Sequence, residues 1–296
     1  MTTSTLPATR RAPTTPAQRV ILVLGVPLVL TIAAWSGYGI LAAAGRSSYT
    51  VTSTTAVSGR QLAMNVDGGD ASIQGGAATG SVQVTGTVGY DLTRPDIRPD
   101  VNATRGPNGT SVGFSCPPAN CQVEAAANVP SSTAVSITGN GGNVSVSSIT
   151  APVTASTNGG DVTLNAVTGS VDLTTAGGSV MGTALTTQDA TVNTDPGFSN
   201  GGGDVDLMLT TVPKDLEINS AGGAVTIELP PGSARYHLEL NGGCGDGAGG
   251  TVSAAPSGAG SEPASWCGDV STSVPDDPSS SNVIVVSSGG GEITIS

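Results

Sequence analysis

Short alternations of apolar and polar residues recur along the chain from about residue 60 to its end. Residues 153–155 (Val-Thr-Ala), 171–173 (Val-Asp-Leu) and 216–218 (Leu-Glu-Ile) place an apolar side chain at every second position. Because successive side chains of a strand point to opposite faces of a sheet, each triplet predicts a short strand with one buried face.

A pair of glycines introduces a second triplet of the same kind in each repeat, at intervals of 18 to 25 residues in the central region. Glycine adopts the positive φ of a sharp turn without a steric penalty, so each pair predicts a corner. The pairs are Gly141-Gly142, Gly159-Gly160, Gly177-Gly178, Gly202-Gly203, Gly222-Gly223 and Gly290-Gly291, with an outlying copy at Gly68-Gly69 and a degenerate copy at Cys267-Gly268.

Two short strands per repeat of about 20 residues, joined at a glycine corner, describe one coil of an all-β β-solenoid. Stacked coils lie about 4.8 Å apart, so equivalent residues form columns. The alternative is a β-sandwich or meander with Gly-Gly turns. The solenoid predicts an outward line of Ser145, Thr163, Asp206, Thr226 and Thr294 and an inward column of Val144, Val162, Val180, Val205, Val225 and Ile293.

Residues 20–45 contain no charged side chain and exceed the roughly 20 residues that a membrane-spanning helix needs. Arg10, Arg11 and Arg19 precede this segment, which predicts a cytoplasmic N-terminus and an external C-terminal region. The segment is therefore predicted to be a signal anchor, preceded by a disordered tail (1–19) and followed by a linker (46–60). The alternative is a signal peptide cleaved after Ala44.

The charge distribution agrees with this placement. The whole chain has a formal charge of −12, and all 22 acidic residues follow residue 46, together with only six of the ten basic ones. An acidic chain of this kind does not fit nucleic-acid binding, which needs a basic surface. The acidic residues are expected to form a solvated outer face.

The ectodomain is predicted to span residues 61–296, with a proline-rich insertion at 89–133 and a Gly/Ala/Ser-rich one at 242–266. Three of the four cysteines lie in these insertions and the fourth, Cys267, directly follows the second one. An oxidising compartment favours disulfides between sequence neighbours. The expected pairs are Cys116–Cys121 and Cys244–Cys267. A zinc site is the alternative, although the C-x4-C spacing and the single histidine, His237, fit it poorly.

With these repeats, the external region resembles the bacterial "putative adhesin" domain family of unknown function. The resemblance is carried by units such as Gly159–Leu164 (Gly-Gly-Asp-Val-Thr-Leu) and Gly169–Leu173 (Gly-Ser-Val-Asp-Leu) after a membrane segment. It covers about residues 60 to 296 and is strongest at 134–229. It implies a bacterial envelope protein with a β-solenoid ectodomain and no catalytic residue to carry over.

One nucleophile motif and one phosphate-binding motif occur without the structural context that each requires. Gly109–Gly113 matches G-x-S-x-G around Ser111, but no helical pattern follows it, as a nucleophile elbow requires. His237 is expected to point outward from a strand as a surface residue. Gly245, Gly247 and Gly250 match G-x-G-x-x-G, yet no helix follows that could hold a pyrophosphate, so this segment is interpreted as a loop.

Acidic residues suggest two further chemistries. One set recurs directly after the glycine pairs. Either calcium binding or a side chain that accepts backbone N–H groups of its own turn would explain these acids, and the second explanation is favoured. Asp172 and Glu217 are expected to face outward two coils apart, which approaches the carboxylate spacing of an inverting glycosidase. The recurring acids are Asp70, Asp161, Asp204, Asp269 and Glu292.

The sequence therefore predicts a single-pass cell-membrane protein whose repeat ectodomain has a structural or adhesive role, without catalytic, metal or cofactor residues. The expected partners are the lipid bilayer, through residues 20–45, and an envelope protein or glycan, but no nucleic acid. The alternatives are an enzyme acting on cell-wall polysaccharide and a sensor or accessory subunit of an envelope stress system.

Overall fold

A computed structural model describes residues 46–56, 60–78, 81–91, 100–115, 123–194, 202–232, 234–242, 250–253 and 270–296. The chain forms two compact regions, residues 1–47 with 90–95 and residues 48–89 with 96–296. Of the first region the structure describes only residues 46–47, at the start of one strand, and residues 90–91, at the end of another strand that pairs with it. The repeats lie in the second region.

The described residues form strands and no helix. In chain order the strands are β1 Arg46–Ala56, β2 Gln61–Asp67, β3 Gly69–Gly75, β4 Ser81–Asp91, β5 Asp100–Arg105, β6 Gly109–Ser115, β7 Val123–Val129, β8 Ala134–Asn140, β9 Val144–Ser147, β10 Val153–Thr157, β11 Val162–Asn165, β12 Val171–Thr175, β13 Val180–Leu185, β14 Asp189–Asn193, β15 Val205–Leu209, β16 Asp215–Ser220, β17 Val225–Glu228, β18 His237–Gly242, β19 Gly250–Ser253, β20 Val270–Thr272, β21 Val283–Ser288 and β22 Ile293–Ile295.

Two mainly parallel sheets contain all of these strands except β1 and β4, which pair with each other. From β8 to β17 successive strands alternate between the sheets, so each repeat contributes one strand to each sheet. The order of the larger sheet is β19-β18-β21-β16-β14-β12-β10-β8-β2-β6-β5, and that of the smaller sheet is β20-β22-β17-β15-β13-β11-β9-β3-β7.

The predicted inward column is confirmed by the strand register. Val162 pairs with Val144 on one side and with Val180 on the other. Val205, Val225 and Ile293 continue the same line. All six side chains are at most 1% exposed, and they belong to one hydrophobic core that both sheets share. Val, Ile, Leu and Ala make up most of this core. Aliphatic side chains of this size fill the space between the two sheets, so few aromatic residues are needed.

The order of repeats at both ends differs from the order along the chain. Strands β2 and β3 lie between the β6/β7 pair and the β8/β9 pair, although β6 and β7 follow them in sequence. At the other end, β21 and β22 pair with β16 and β17, while β18 and β20 lie outside them. Each outermost position is thus filled by a segment that is not terminal in sequence.

The segment 89–133, predicted as a loop-rich insertion, supplies three strands of this stack, which corrects the prediction. Ala125, Ala127 and Val129 of β7 are buried against the core, and β7 pairs in register with β3. The prolines at 95, 99, 107, 117, 118 and 130 obscured this alternation in the sequence. Likewise, β1 occupies most of the predicted linker 46–60.

Other predictions fall outside the described residues. These are the tail 1–19, the membrane segment 20–45, the glycines Gly245 and Gly247, the acid Asp269, the cysteines Cys116, Cys121, Cys244 and Cys267, and residues 243–249 and 254–266 of the second insertion. Within the ranges that are described, no helix has the length and hydropathy needed to cross a bilayer.

Candidate functional site

The two glycines of a corner have different structural roles, as Gly159 and Gly160 show; Gly202 is an exception among the first glycines, since its φ is not positive. Gly159 has a φ of +99°, the left-handed region that residues with a Cβ rarely adopt. Gly160 instead packs against the preceding repeat, where a Cβ would overlap the carbonyl oxygen of Gly142. The second glycines form a column in which each, from Gly142 onward, leaves room for the backbone carbonyl of the glycine before it: Gly69, Gly142, Gly160, Gly178, Gly203, Gly223 and Gly291.

The residues after the glycine pairs form a ladder across the repeats, and side-chain-to-backbone hydrogen bonds connect its members from Asp70 to Ser179 and from Asp204 to Ala224. The Asp161 carboxylate accepts a hydrogen bond from the backbone N–H of Ser179 at 2.8 Å, and Asp204 accepts one from Ala224 at 2.8 Å. The expectation that these acids bind their own turn is therefore wrong, since the N–H belongs to the neighbouring repeat. The stacked turns bring that N–H within reach of the carboxylate.

Acidic and neutral residues alternate along this ladder. Successive carboxylates are therefore separated by two strand spacings, about 9.6 Å, which reduces their mutual repulsion. Calcium ligands must lie 2.3–2.6 Å from one ion, so carboxylates at this separation do not share one. The residues in order are Asp70, Asn143, Asp161, Ser179, Asp204, Ala224 and Glu292.

Asp172 and Glu217 occupy the outward face of the larger sheet, with Thr191 between them, as predicted. Both side chains are exposed. Two strand spacings separate their backbones by about 9.6 Å. Neither residue lines the groove of about 430 Å³ that lies around β2, β6 and β8 of this sheet.

Ser111 and His237 lie far apart in the larger sheet. Ser111 belongs to β6 and His237 to β18, which are eight strand spacings apart, about 38 Å. The order of the strands therefore excludes a catalytic pair of these two residues, because a nucleophile and its base must be within hydrogen-bond distance.

His237 is half-buried rather than a free surface residue. Its Nδ1 lies 3.4 Å from the Asp276 carboxylate, and its Nε2 lies 3.1 Å from that of Glu239. Asp276 also accepts the backbone N–H of Leu238 at 2.9 Å, so it fixes the loop before β21 to β18. No sequence pattern indicates this cluster, because residues 276 and 237 are brought together only by the order of the strands at the end of the sheets.

Two further groups of this cluster have shifted pKa values. The Ser279 hydroxyl and the Arg235 guanidinium donate hydrogen bonds to Asp277 and lower the pKa of this carboxyl to about 2. Burial raises the pKa of Tyr236, whose hydroxyl has no hydrogen-bond partner among the described residues. Asp277 holds the last repeats together by its hydrogen bonds, and Tyr236 packs within them. The two groups do not form a reactive centre.

An uncharged polar row crosses the outward face of the larger sheet. Its side chains are amides and hydroxyls, and they occupy one register position on eight neighbouring strands. We call it the polar row: Asn65, Thr138, Ser156, Thr174, Asn193, Asn219, Ser287 and Asn241. All eight positions are neutral, whereas Asp172 and Glu217 lie on the same face two residues earlier on β12 and β16.

At one end of the polar row the surface is hollowed into a groove of about 430 Å³. The residues that line it are Asn65, Asp67, Asn102, Gly113, Phe114, Thr138, Gly139, Asn140 and Asn158. Asn102, Gly113, Asn65 and Thr138 lie side by side on strands β5, β6, β2 and β8. The groove thus begins where a glycine replaces a side chain between two asparagines.

A chain of amide hydrogen bonds forms one wall of this groove. Asn158 Nδ2 donates to Asn140 Oδ1 at 3.2 Å, and Asn140 Nδ2 donates to Asp67 Oδ1 at 2.9 Å. These bonds fix the orientation of each amide, so the remaining donors and acceptors are held in place before any ligand arrives.

No protein-family model and no curated protein matches the chain. Two solved structures align with 84% of it. A "putative cell adhesion protein" from Clostridium sporogenes ATCC 15579 is 14% identical, is covered over 98% of its own length and gives a TM-score of 0.31. A "putative adhesin" from Bacteroides fragilis NCTC 9343 is 10% identical, is covered over 97% and gives a TM-score of 0.37.

Proposed function

We propose that this protein is a non-catalytic, adhesin-like surface protein whose repeats form a β-solenoid that displays a binding face. The parallel pairing in register from β8 to β17 supports the solenoid over a meander, in which neighbouring strands would be antiparallel. The anchor is the apolar segment 20–45, and the arginines before it place the repeats outside the cell.

The polar row is the observation that carries this proposal. It offers amide and hydroxyl groups every 4.8 Å or so along a regular sheet, a surface suited to an extended partner rather than to a single reacting atom. The partner is an envelope protein or a glycan, because the acidic external region repels anionic polymers such as nucleic acid.

A pull-down of the tagged full-length protein from its own membranes tests the proposal. The Ser156→Lys/Thr174→Lys variant changes the middle of the polar row. Its matched control is Thr163→Lys/Thr226→Lys, on the outward face of the smaller sheet. We expect the wild type and the control to retain an envelope component and the polar-row variant to lose it about tenfold.

Two results would contradict this assignment. One is equal retention of the envelope component by both variants, which would remove the role of the polar row. The other is recovery of the wild-type protein in the soluble fraction, with no protease-accessible ectodomain on intact cells, which would refute the surface location.

A further inference from the structure

The groove at the end of the polar row has an open floor that the fold itself does not require. Gly113 lies between Asn102 and Asn65 in the outward face. A Cβ on Gly113 would come no nearer than 4.0 Å to another heavy atom, the carbonyl oxygen of Asn102. Neither a positive φ nor a close backbone approach demands glycine here, so its effect is to leave space between two amide side chains.

The walls present acceptors and donors in alternation. Once the two amide hydrogen bonds are made, Asn158 retains its side-chain oxygen, Asn140 retains one N–H, and Asp67 retains its second oxygen. Asn65 adds an exposed amide that makes no side-chain hydrogen bond to another described residue. A hydroxyl both donates and accepts, so a ligand rich in hydroxyl groups can satisfy each of these positions.

Other ligand classes fit this lining less well. An apolar ligand would bury amides without hydrogen-bond partners, which is unfavourable. An anion would meet the Asp67 carboxylate and the acidic surface around it. A metal ion would find one carboxylate among the described lining residues, and no group of three metal-ligating side chains occurs in the described ranges.

We propose that this groove binds a neutral carbohydrate, with Asn65, Asn140, Asn158 and Asp67 recognising its hydroxyl groups. The inference rests on the proposed function and identifies the class of ligand at one end of its binding face. The length of the polar row beyond the groove suits a linear oligosaccharide, whose further units would lie along the threonine and serine positions of β8, β10 and β12.

Binding to defined oligosaccharides tests the inference. The full-length protein in detergent is titrated calorimetrically with cellohexaose, chitohexaose, maltohexaose and mannohexaose, and with heparin as the anionic probe. We expect at least one neutral probe to bind and heparin not to bind.

Gly113→Leu fills the groove and should weaken binding about tenfold or more. The matched control, Ser111→Leu, adds the same side chain to the same face of β6 outside the groove and should bind as the wild type does.

A second variant distinguishes a loss of binding from a folding defect in Gly113→Leu. Asn65→Ala removes one exposed amide and no hydrogen bond to another described residue, so its melting temperature should equal that of the wild type. We expect it to weaken binding of the same probe about fivefold to tenfold.

Binding of none of the neutral probes by the wild type, preferential binding of heparin, or unchanged affinity of both Gly113→Leu and Asn65→Ala would overturn the inference. If an envelope component is still retained through the middle of the polar row in those cases, the proposed function stands and only the groove's ligand is refuted. If that retention is lost as well, both fail.

Discussion

At the scale of single residues, hydrogen bonds between distant parts of the chain fix the last repeats. Asp277 accepts from Arg235 at 2.9 Å and from the Ser279 hydroxyl at 2.6 Å. Ser280 and Asn282 donate to the backbone carbonyl of Arg235 at 2.7 and 2.9 Å. The loop before β21 is therefore held against the start of β18, which lets β21 occupy the place next to β16.

These contacts predict a loss of stability in acid. The pKa of Asp277 falls from 3.8 to about 2 on folding, so the unfolded chain binds this proton more tightly. The contribution of Asp277 to the unfolding free energy is present above pH 3.8 and is lost as the pH falls through about 2. In urea titrations between pH 5 and pH 2, Asp277→Asn should therefore lack this part of the acid dependence.

Ser279→Ala is the control for that measurement, because the Ser279 hydroxyl is the largest cause of the lowered pKa. It should reduce the acid dependence in part. An Asp277→Asn variant with the same pH profile as the wild type would show that the bonds to Asp277 are not made in solution.

At the scale of the element, the corner that joins two strands depends on two glycines for different reasons. Corners on the opposite side of the repeat use residues with side chains in the left-handed region: Ser148, Ala166 and Ala184, with φ of 57°, 51° and 53°. These three recur every 18 residues, yet no glycine marks them. Glycine is indispensable where backbones of neighbouring repeats touch, and only preferred where φ alone is positive.

We predict that Gly160→Ala destabilises the protein much more than Gly159→Ala. A Cβ at position 160 overlaps the backbone of Gly142, and the parallel ladder on both sides prevents the backbone from moving away. We expect a loss of about 3 kcal/mol or more. A Cβ at position 159 meets nothing nearer than the Ala176 carbonyl oxygen at 3.8 Å, so only the left-handed conformation is penalised, by about 1–2 kcal/mol.

Chemical denaturation of the two variants measures this difference directly. Equal losses of stability, or a larger loss for Gly159→Ala, would show that the second glycines do not stack as the structure has them.

At the scale of the whole molecule, the repeats form an array in which each contacts its neighbours through the same register. Such arrays derive their stability from the interfaces between adjacent repeats. The end positions are different, because β5 and β19 pair antiparallel with β6 and β18 at the two edges of the larger sheet. The run of parallel pairing in the larger sheet thus ends at both edges, whereas the end strands of the smaller sheet, β7 and β20, pair parallel with their neighbours.

We predict that deletion of residues 159–176 preserves the fold. These 18 residues span one repeat, so Gly177 would follow Asn158 and take the place of Gly159. Strands β13 and β14 would then pair with β9 and β10, and the inward column would keep its register. Circular dichroism should retain the β signal with a melting temperature a few degrees lower.

Deletion of residues 159–167 is the matched control, since it removes half a repeat and sends every following strand to the wrong sheet. This control should not fold cooperatively. Two deletions with the same stability, or an unfolded product from the whole-repeat deletion, would contradict the repeat stacking.

The sequence by itself determined the repeat. Apolar-polar alternation and paired glycines are local features, and they were enough to predict the inward column from Val144 to Ile293 and the outward position of Asp172 and Glu217. Local patterns report which face of a strand is buried, because that depends on neighbours two residues away.

Only the tertiary structure decided which repeats are neighbours. The placement of β2 and β21 one position in from the ends, the contact of His237 with Asp276, and the groove around Gly113 all depend on strands far apart in sequence. Several repeats share one alternating pattern, so any of them could pair with any other by that pattern alone. The choice among them is made by the connecting loops and by contacts such as Arg235 with Asp277, which form only when the whole stack is assembled.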